Sequence, residues 1–260
     1  MKRILKSDPP NELTSYENKY SDDVWKNFCD YNRSLDYKAL RKRIWADQGN
    51  LCGYCEKQVG NLPDHLQRVE HYHSKSDKSS SHNWDLDWYN VFGVCNGGGD
   101  AHKAKHPLPA NLSCDSYKDH MIQKNKLPKS CEGYYLNPLR IISTANLFTF
   151  DRATGRLGVN EAACEGLADI DNQYQTLVEL VKKTIEILNL NCQRLCDDRL
   201  VILKEWNQQV ARARKNNNRD IHGQLAKRWF SRRWPSFFTT RRILLGKHAE
   251  DYLNRISYSG

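Results

Sequence analysis

Apolar residues recur at helical spacing in some stretches of this 260-residue chain, alternate in another, and lose all period in a third. Between residues 21 and 50 the spacing is helical. Ser21, Asp22 and Asp23 predict an N-terminal cap for a helix carrying Val24, Trp25 and Phe28. A second helix follows, with Tyr37, Leu40 and Ile44 on one side and Gly49 as its stop. Pro9 and Pro10 keep the segment before them extended. Leu147, Phe148 and Phe150, the turn Asp151-Arg-Ala-Thr-Gly155, then Leu157 and Val159 predict a β-hairpin packed beside the preceding module. Beyond Leu167, two series fit long amphipathic helices: Ile170, Tyr174, Leu177, Val181 and Leu188, then Leu195, Ile202, Trp206 and Val210. A break is expected at Asn189 to Asn191.

From Leu51 to Asp119 the period disappears while Cys, His, Gly, Asn and Trp crowd together. A segment of that kind folds around ligands rather than a core of its own. The expected organisation is therefore α+β and mainly helical. Residues 1–50 form an N-terminal arm and helices, 51–120 a metal-organised module, 121–166 a hairpin and linker, and 167–260 a helical C-terminal region with a basic aromatic tail.

Composition sharpens this picture in two places. The net charge is +9, and residues from Arg212 to Gly260 carry twelve Lys and Arg against three Asp and Glu, so the whole excess sits in the tail. The nine cysteines are an odd number at irregular intervals. With no signal-like start and no long apolar run, the expected setting is cytoplasmic with no membrane, where a Cys-x-x-Cys pair points to metal rather than disulfide. Cys29, Cys131, Cys164, Cys192 and Cys196 read as small buried thiols.

Cys52-Gly-Tyr-Cys55 places two thiolates on one tight turn, a spacing that suits tetrahedral Zn²⁺. Cys95 and Cys114 supply the second pair, with the Gly-rich, His-bearing stretch 96–113 looped out between them. Unrelated buried thiols are the plainer alternative. Between the two halves lie Val69-Glu70-His71-Tyr72-His73 and Trp88-Tyr89-Asn90-Val91, and Cys114-Asp115-Ser-Tyr-Lys118 closes the series.

This order resembles the HNH, or ββα-metal, nucleases from Leu51 to Lys118. More narrowly, Cys-Gly-Tyr-Cys-Glu56, Val-Glu-His71, Asp87-Trp-Tyr-Asn90 and Cys-Asp-x-x-Lys118 resemble the PtuB-like HNH proteins of retron and Septu antiphage systems. The resemblance implies a ββα-metal module with a structural zinc knuckle and an endonuclease activity on nucleic acid. It also implies a PtuA-like ATPase as partner, with a retron reverse transcriptase and its noncoding RNA/DNA.

Phosphodiester hydrolysis needs a base for the attacking water, and a neutral His accepts that proton at working pH. His71 takes this role in the expected site, Asn90 fixes its ring, and Lys118 completes the catalytic set. Glu70 and Asp115 hold Mg²⁺ or Mn²⁺, which neutralises charge on the scissile phosphate. Adjacent residues on a strand point to opposite faces, so Glu70 and His71 share one phosphate only if the strand is bulged or ends there.

Alternatives stand beside each assignment. A rival register ending at Cys95-Asn96 puts Phe92 at a zinc-ligand position and Gly99 where Lys belongs. His65, His73, His82 and His120 read as solvated or locally bonded, with His73 the nearest substitute base. His102 and His106 suit a flexible loop as well as a metal or phosphate, and Gly97 to Gly99 read as a turn. In the tail, Trp229 and Trp234 among Arg228, Arg232 and Arg233 suit stacked bases and phosphates, but equally a solvated helical face with core rings beneath, or an acidic partner surface. A non-catalytic zinc module that binds nucleic acid or a partner is the competing function. It has no use for Glu70, His71, Asn90, Asp115 and Lys118 in this order.

Overall fold

The computed structural model describes residues 1–77, 81–99, 104–128, 130–143, 146–167, 170–231 and 234–260. The chain begins as an extended arm whose Ile4 is buried and bonded to Pro138. It then forms α1 (Asn11–Lys19), α2 (Trp25–Asp30) and α3 (Leu35–Asp47). α1 is an element the prolines concealed: Pro10 itself serves as its N-cap position. The expected cap of α2 shifts as well. Val24 is the N-cap, while Asp23 accepts from the Val24 backbone N–H, from Asn27 and from the Tyr16 hydroxyl.

Two short strands follow, β1 (Gln67–His71) and β2 (Val91–Cys95), paired antiparallel from Gln67 opposite Cys95 to His71 opposite Val91. A 3₁₀ turn at Trp88–Asn90 leads into β2, and α4 (Cys114–Gln123) lies against it. On the other side, α3 clamps β2 through Gln48, whose amide donates to the Gly93 carbonyl and accepts from its N–H at 2.7 and 2.8 Å. A side chain at Gly93 would collide with the Trp45 ring 2.7 Å away, so glycine is what permits this approach.

β3 (Phe148–Phe150) and β4 (Leu157–Val159) form the expected hairpin. Gly155 in its turn has φ +75° and lies against the Cys196 carbonyl. The hairpin's hydrogen bonds run to the C-terminal helices rather than to β1 and β2: Leu157 pairs with Asn191, and Gly155 accepts from Arg199. The remaining helices are α5 (Glu161–Cys164), α6 (Leu177–Ile187), α7 (Gln193–Lys215), α8 (Ile221–Phe230), α9 (Phe238–Leu245) and α10 (Lys247–Arg255). α6 opens on a capping box between Thr176 and Glu179, and the break before α7 falls at Leu188 to Cys192, where Asn189 turns left-handed.

Among the described residues the buried apolar side chains gather into two cores. The smaller gathers Leu13, Tyr16, Trp25, Phe28, Leu40 and Ile44 of the N-terminal helices with Leu86, Trp88 and Val91. The larger runs from Ile4 through the Cys52 to Cys95 region to Leu253 of α10. The β1–β2 ladder lies between them. Among the described residues, no helix is long and apolar enough to cross a membrane.

Candidate metal centre and active site

Cys52 and Cys55 sit on a turn closed by Cys52 N–H to the Lys57 carbonyl and Glu56 N–H to the Cys52 carbonyl. Cys95 ends β2 and Cys114 begins α4. All four thiols are buried, and their sulfurs lie within 4.8 Å of one another. Cys52 and Cys114 are 3.9 Å apart, Cys55 and Cys95 3.8 Å. Four ligands at about 2.3 Å from a tetrahedral ion stand about 3.8 Å from each other, so the donor set and spacing fit Zn²⁺ and are far too long for disulfides. Hydrogen bonds from Cys114, Cys52 and Cys55 push the Cys95 thiol well below its usual pKa, whereas burial pushes Cys52 and Cys114 up. The rival register is not the one that assembles: Phe92 packs in the core against Gly53.

The stretch 96–113 does not simply loop out. Ser113 N–H donates to the Gly97 carbonyl, and Gly97, at φ +67°, leaves 2.5 Å where a side chain would meet Ser113. Asn189 then donates to the carbonyls of Ala110 and Leu112, and the Cys114 N–H donates to Leu188. The far half of the insert is thus held on the α6–α7 turn. His106 lies buried there beside Asp197, while His102 falls outside the described residues.

Glu70 and His71 occupy the last two ladder positions of β1, and the register passes through them with no bulge. The distortion expected at this point is absent, and this regular alternation counts against Glu70 and His71 sharing one phosphate, leaving only the strand end at His71 for them to do so. Their side chains accordingly leave on opposite faces. Glu70 meets the ammonium of Lys118 and the Tyr54 hydroxyl. Asp115 lies 3.7 Å from that ammonium and 3.6 Å from Arg68. Burial alone would lower the Lys118 pKa, but Glu70 and Asp115 outweigh it and hold the ammonium protonated. The two carboxylates and Lys118 come from one strand end and the first turn of α4, which is why the Cys-Asp-x-x-Lys spacing brings them together.

His71 faces the N-terminal helices. Its ring stands edge-on to Trp25 with centroids 4.8 Å apart, and Nε2 lies 3.0 Å from the Asp85 carbonyl. Burial lowers its pKa to about 4. Asn90 does not touch the ring. It accepts from His73 N–H at 2.8 Å and donates to the carbonyls of His73 and Trp84 at 3.0 Å, pinning the loop that carries Asp85. Asn90 thus lies one remove from His71, its bond to the Trp84 carbonyl being next to the Asp85 carbonyl that meets the ring.

The other histidines separate cleanly. His73 stacks on Trp84 at 4.0 Å, with Nδ1 2.6 Å from Glu132 and Nε2 3.0 Å from Asp77, so neither nitrogen is open. His82 pairs with Asp87, and His65 is exposed. In the tail, Trp229 is buried with the Arg241 guanidinium 4.6 Å over its ring, and Trp234 packs edge-on to Phe238 and Tyr258. The rings expected to stack on bases are therefore occupied by the core. Arg228 remains exposed beside Gln209, whereas Arg232 and Arg233 lie outside the described residues. Residues the sequence did not single out also enter the site: Tyr54 through its bond to Glu70, Trp25 against His71, and Arg194, whose guanidinium reaches Ser113 beside Cys114.

Four converging thiols beside a strand pair and a helix, with a buried carboxylate pair next to them, define a protein organised around a candidate metal centre. No protein-family model matches the sequence. The chain is 37% identical over 250 residues, covering 94% of itself and 93% of the relative, to an Escherichia coli protein described as "Retron Ec83 putative HNH endonuclease". The chain belongs to this family of HNH endonucleases of retron systems.

Proposed function

We propose that the protein is a metal-dependent HNH endonuclease that hydrolyses phosphodiester bonds in DNA or RNA, tRNA included. Its β1–β2–α4 unit is read as the ββα-metal module, with Cys52, Cys55, Cys95 and Cys114 holding a structural Zn²⁺. The observation that carries this reading is the meeting of Glu70, Asp115 and Lys118 beside the thiol centre, since a purely structural zinc module has no need of a buried carboxylate pair.

Glu70 and Asp115 would hold Mg²⁺ or Mn²⁺, which supplies charge neutralisation at the scissile phosphate and leaving oxygen. Lys118 bridges the two carboxylates in the resting site, with Arg68 beside Asp115, and is free to meet a phosphate oxygen once they are otherwise engaged. With Nε2–H donating to Asp85, the neutral His71 carries its lone pair on Nδ1; its ring leaves β1 on the face opposite Glu70, so it takes the proton only from a water that reaches round the strand end at His71. A pKa near 4 keeps the ring neutral but makes it a weak base, and the negative phosphate raises it on arrival. Asn90 holds the loop that fixes this tautomer. Exposed cations such as Arg228 contribute phosphate contacts.

In this reading the protein is the toxic effector of a retron or Septu-type antiphage system, PtuB-like, working with a PtuA-like ATPase and a reverse transcriptase with its noncoding RNA/DNA. The relative's description as a retron protein supports that setting. The test is to incubate the purified protein, with and without those neighbours, with plasmid and total cellular RNA in Mg²⁺. Cleavage is expected, falling by about 10²- to 10⁴-fold in His71→Gln and also lost in Glu70→Gln, with zinc content unchanged. Full activity in either variant overturns the assignment, and zinc binding without cleavage under every combination leaves the non-catalytic module standing.

A further inference from the structure

We propose that Arg194 is the counter-charge of the four-cysteine centre, and that the α6–α7 turn just before it places the fourth ligand, so that zinc is held by the C-terminal helices as much as by the cysteine module. The inference rests on the centre taking zinc.

The chemistry sets the requirement. Four thiolates on one Zn²⁺ leave two net negative charges, and all four sulfurs here are buried where water cannot offset them. A buried charge needs a partner of opposite sign. Arg194 is buried in the first helical turn of α7, and its side chain extends to Ser113, the residue before Cys114. One guanidinium nitrogen donates to the Ser113 hydroxyl at 2.8 Å, immediately before Cys114. The same group lies 2.7 Å from where a side chain on Gly98 would begin, three residues after Cys95. Its Nε–H finds no acceptor among the described residues, although it is fully buried. A cation wedged between the segments that deliver two of the thiols, with an unused donor, fits a site designed for nearby negative sulfur.

The turn around it does the placing. Leu188 accepts from Cys114 N–H, Asn189 holds Ala110 and Leu112, and the Arg194 N–H donates to Asn111 at 3.1 Å. Cys114 itself has φ +56°, a conformation a cysteine does not choose unaided. The opposite half of the centre is held in the same manner: Glu56, next to Cys55, accepts from the Thr239 N–H and hydroxyl at the start of α9. Both cysteine pairs therefore depend on contacts from residues beyond 187.

The test uses the full chain purified with zinc. Metal content is measured first, then the rate at which zinc passes to an excess of a colorimetric chelator. Arg194→Met, which keeps an unbranched stem and removes the charged head, is expected to release zinc about 10- to 100-fold faster, and Arg194→Lys is expected to return most of that loss. Ser113→Ala, which frees the guanidinium without changing charge, is expected to speed release by a smaller factor and remains informative if Arg194→Met does not fold. An unchanged rate in both Arg194→Met and Ser113→Ala overturns the proposal, as does equal acceleration in the Met and Lys variants. A wild-type protein that contains no zinc fails the centre itself, and is told apart from failure of Arg194 by the first measurement.

Discussion

The two faces of β1 are covered by different parts of the chain and hold different chemistry. On one, Arg68 reaches Asp115 and Ser116, and Glu70 reaches Lys118 and Tyr54; the cover is α4, anchored by the thiol centre. On the other, Gln67 bonds Arg41, Val69 packs on the N-terminal core, and His71 meets Trp25; the cover is the N-terminal helices. A two-stranded ladder is too small to bury either face by itself. One face is closed by charge pairing and the four-thiol cluster, the other by aromatic rings. Neighbouring residues on a single strand thereby enter opposite environments, a paired carboxylate at Glu70 and a desolvated neutral imidazole at His71.

The largest expected effect comes from breaking the side anchored by the four thiols. Cys52→Ser should abolish zinc content and the cooperative melting of the α4 side, because a lost thiolate removes the binding energy that folds such centres. Wild-type melting with no zinc bound would break the comparison. Next, Trp25→Ala and Lys118→Met should each cost about 3–5 kcal/mol in urea unfolding, the first by leaving a cavity beside His71, the second by leaving buried carboxylates unpaired. The two losses should part on adding Mn²⁺, which restores stability to Lys118→Met and leaves Trp25→Ala unchanged. Equal response in both would show that the faces are not independent.

A smaller effect follows from pH. His71 is lowered from 6.5 to about 4, so the unfolded chain takes up its proton first as pH falls. Its contribution is nil above the unfolded value, and stability declines through that window by about 3 kcal/mol in all. Comparing unfolding at several pH values in wild type and His71→Gln checks this: the variant's curve should be flatter between pH 6.5 and 4. Parallel curves would mean that the ring is not desolvated.

Much of this was legible beforehand, for local reasons. Cys52 and Cys55 share one turn, Asp115 and Lys118 share one helical turn, and the hairpin and the break before α7 follow from neighbouring residues. Other expectations failed where direction rather than identity mattered. Trp229 and Trp234 alternate with cations in the same way whether their rings face water or the core, and only packing against Arg241, Phe238 and Tyr258 decides. Asn90 was expected at the His71 ring, yet it bonds backbone at His73 and Trp84. A carbonyl such as that of Asp85 leaves no mark in the residue sequence.

By itself, then, the sequence determined which ligand types occur, in what order, and that adjacent strand residues must face apart. Tertiary structure decided what each face meets. Trp25 comes to His71 from 46 positions earlier in the chain, and Leu188 comes to Cys114, and Arg194 to the adjoining Ser113, from far beyond them. Alternation along a strand is a local rule of covalent geometry, whereas the element that covers a face is chosen by packing between distant segments.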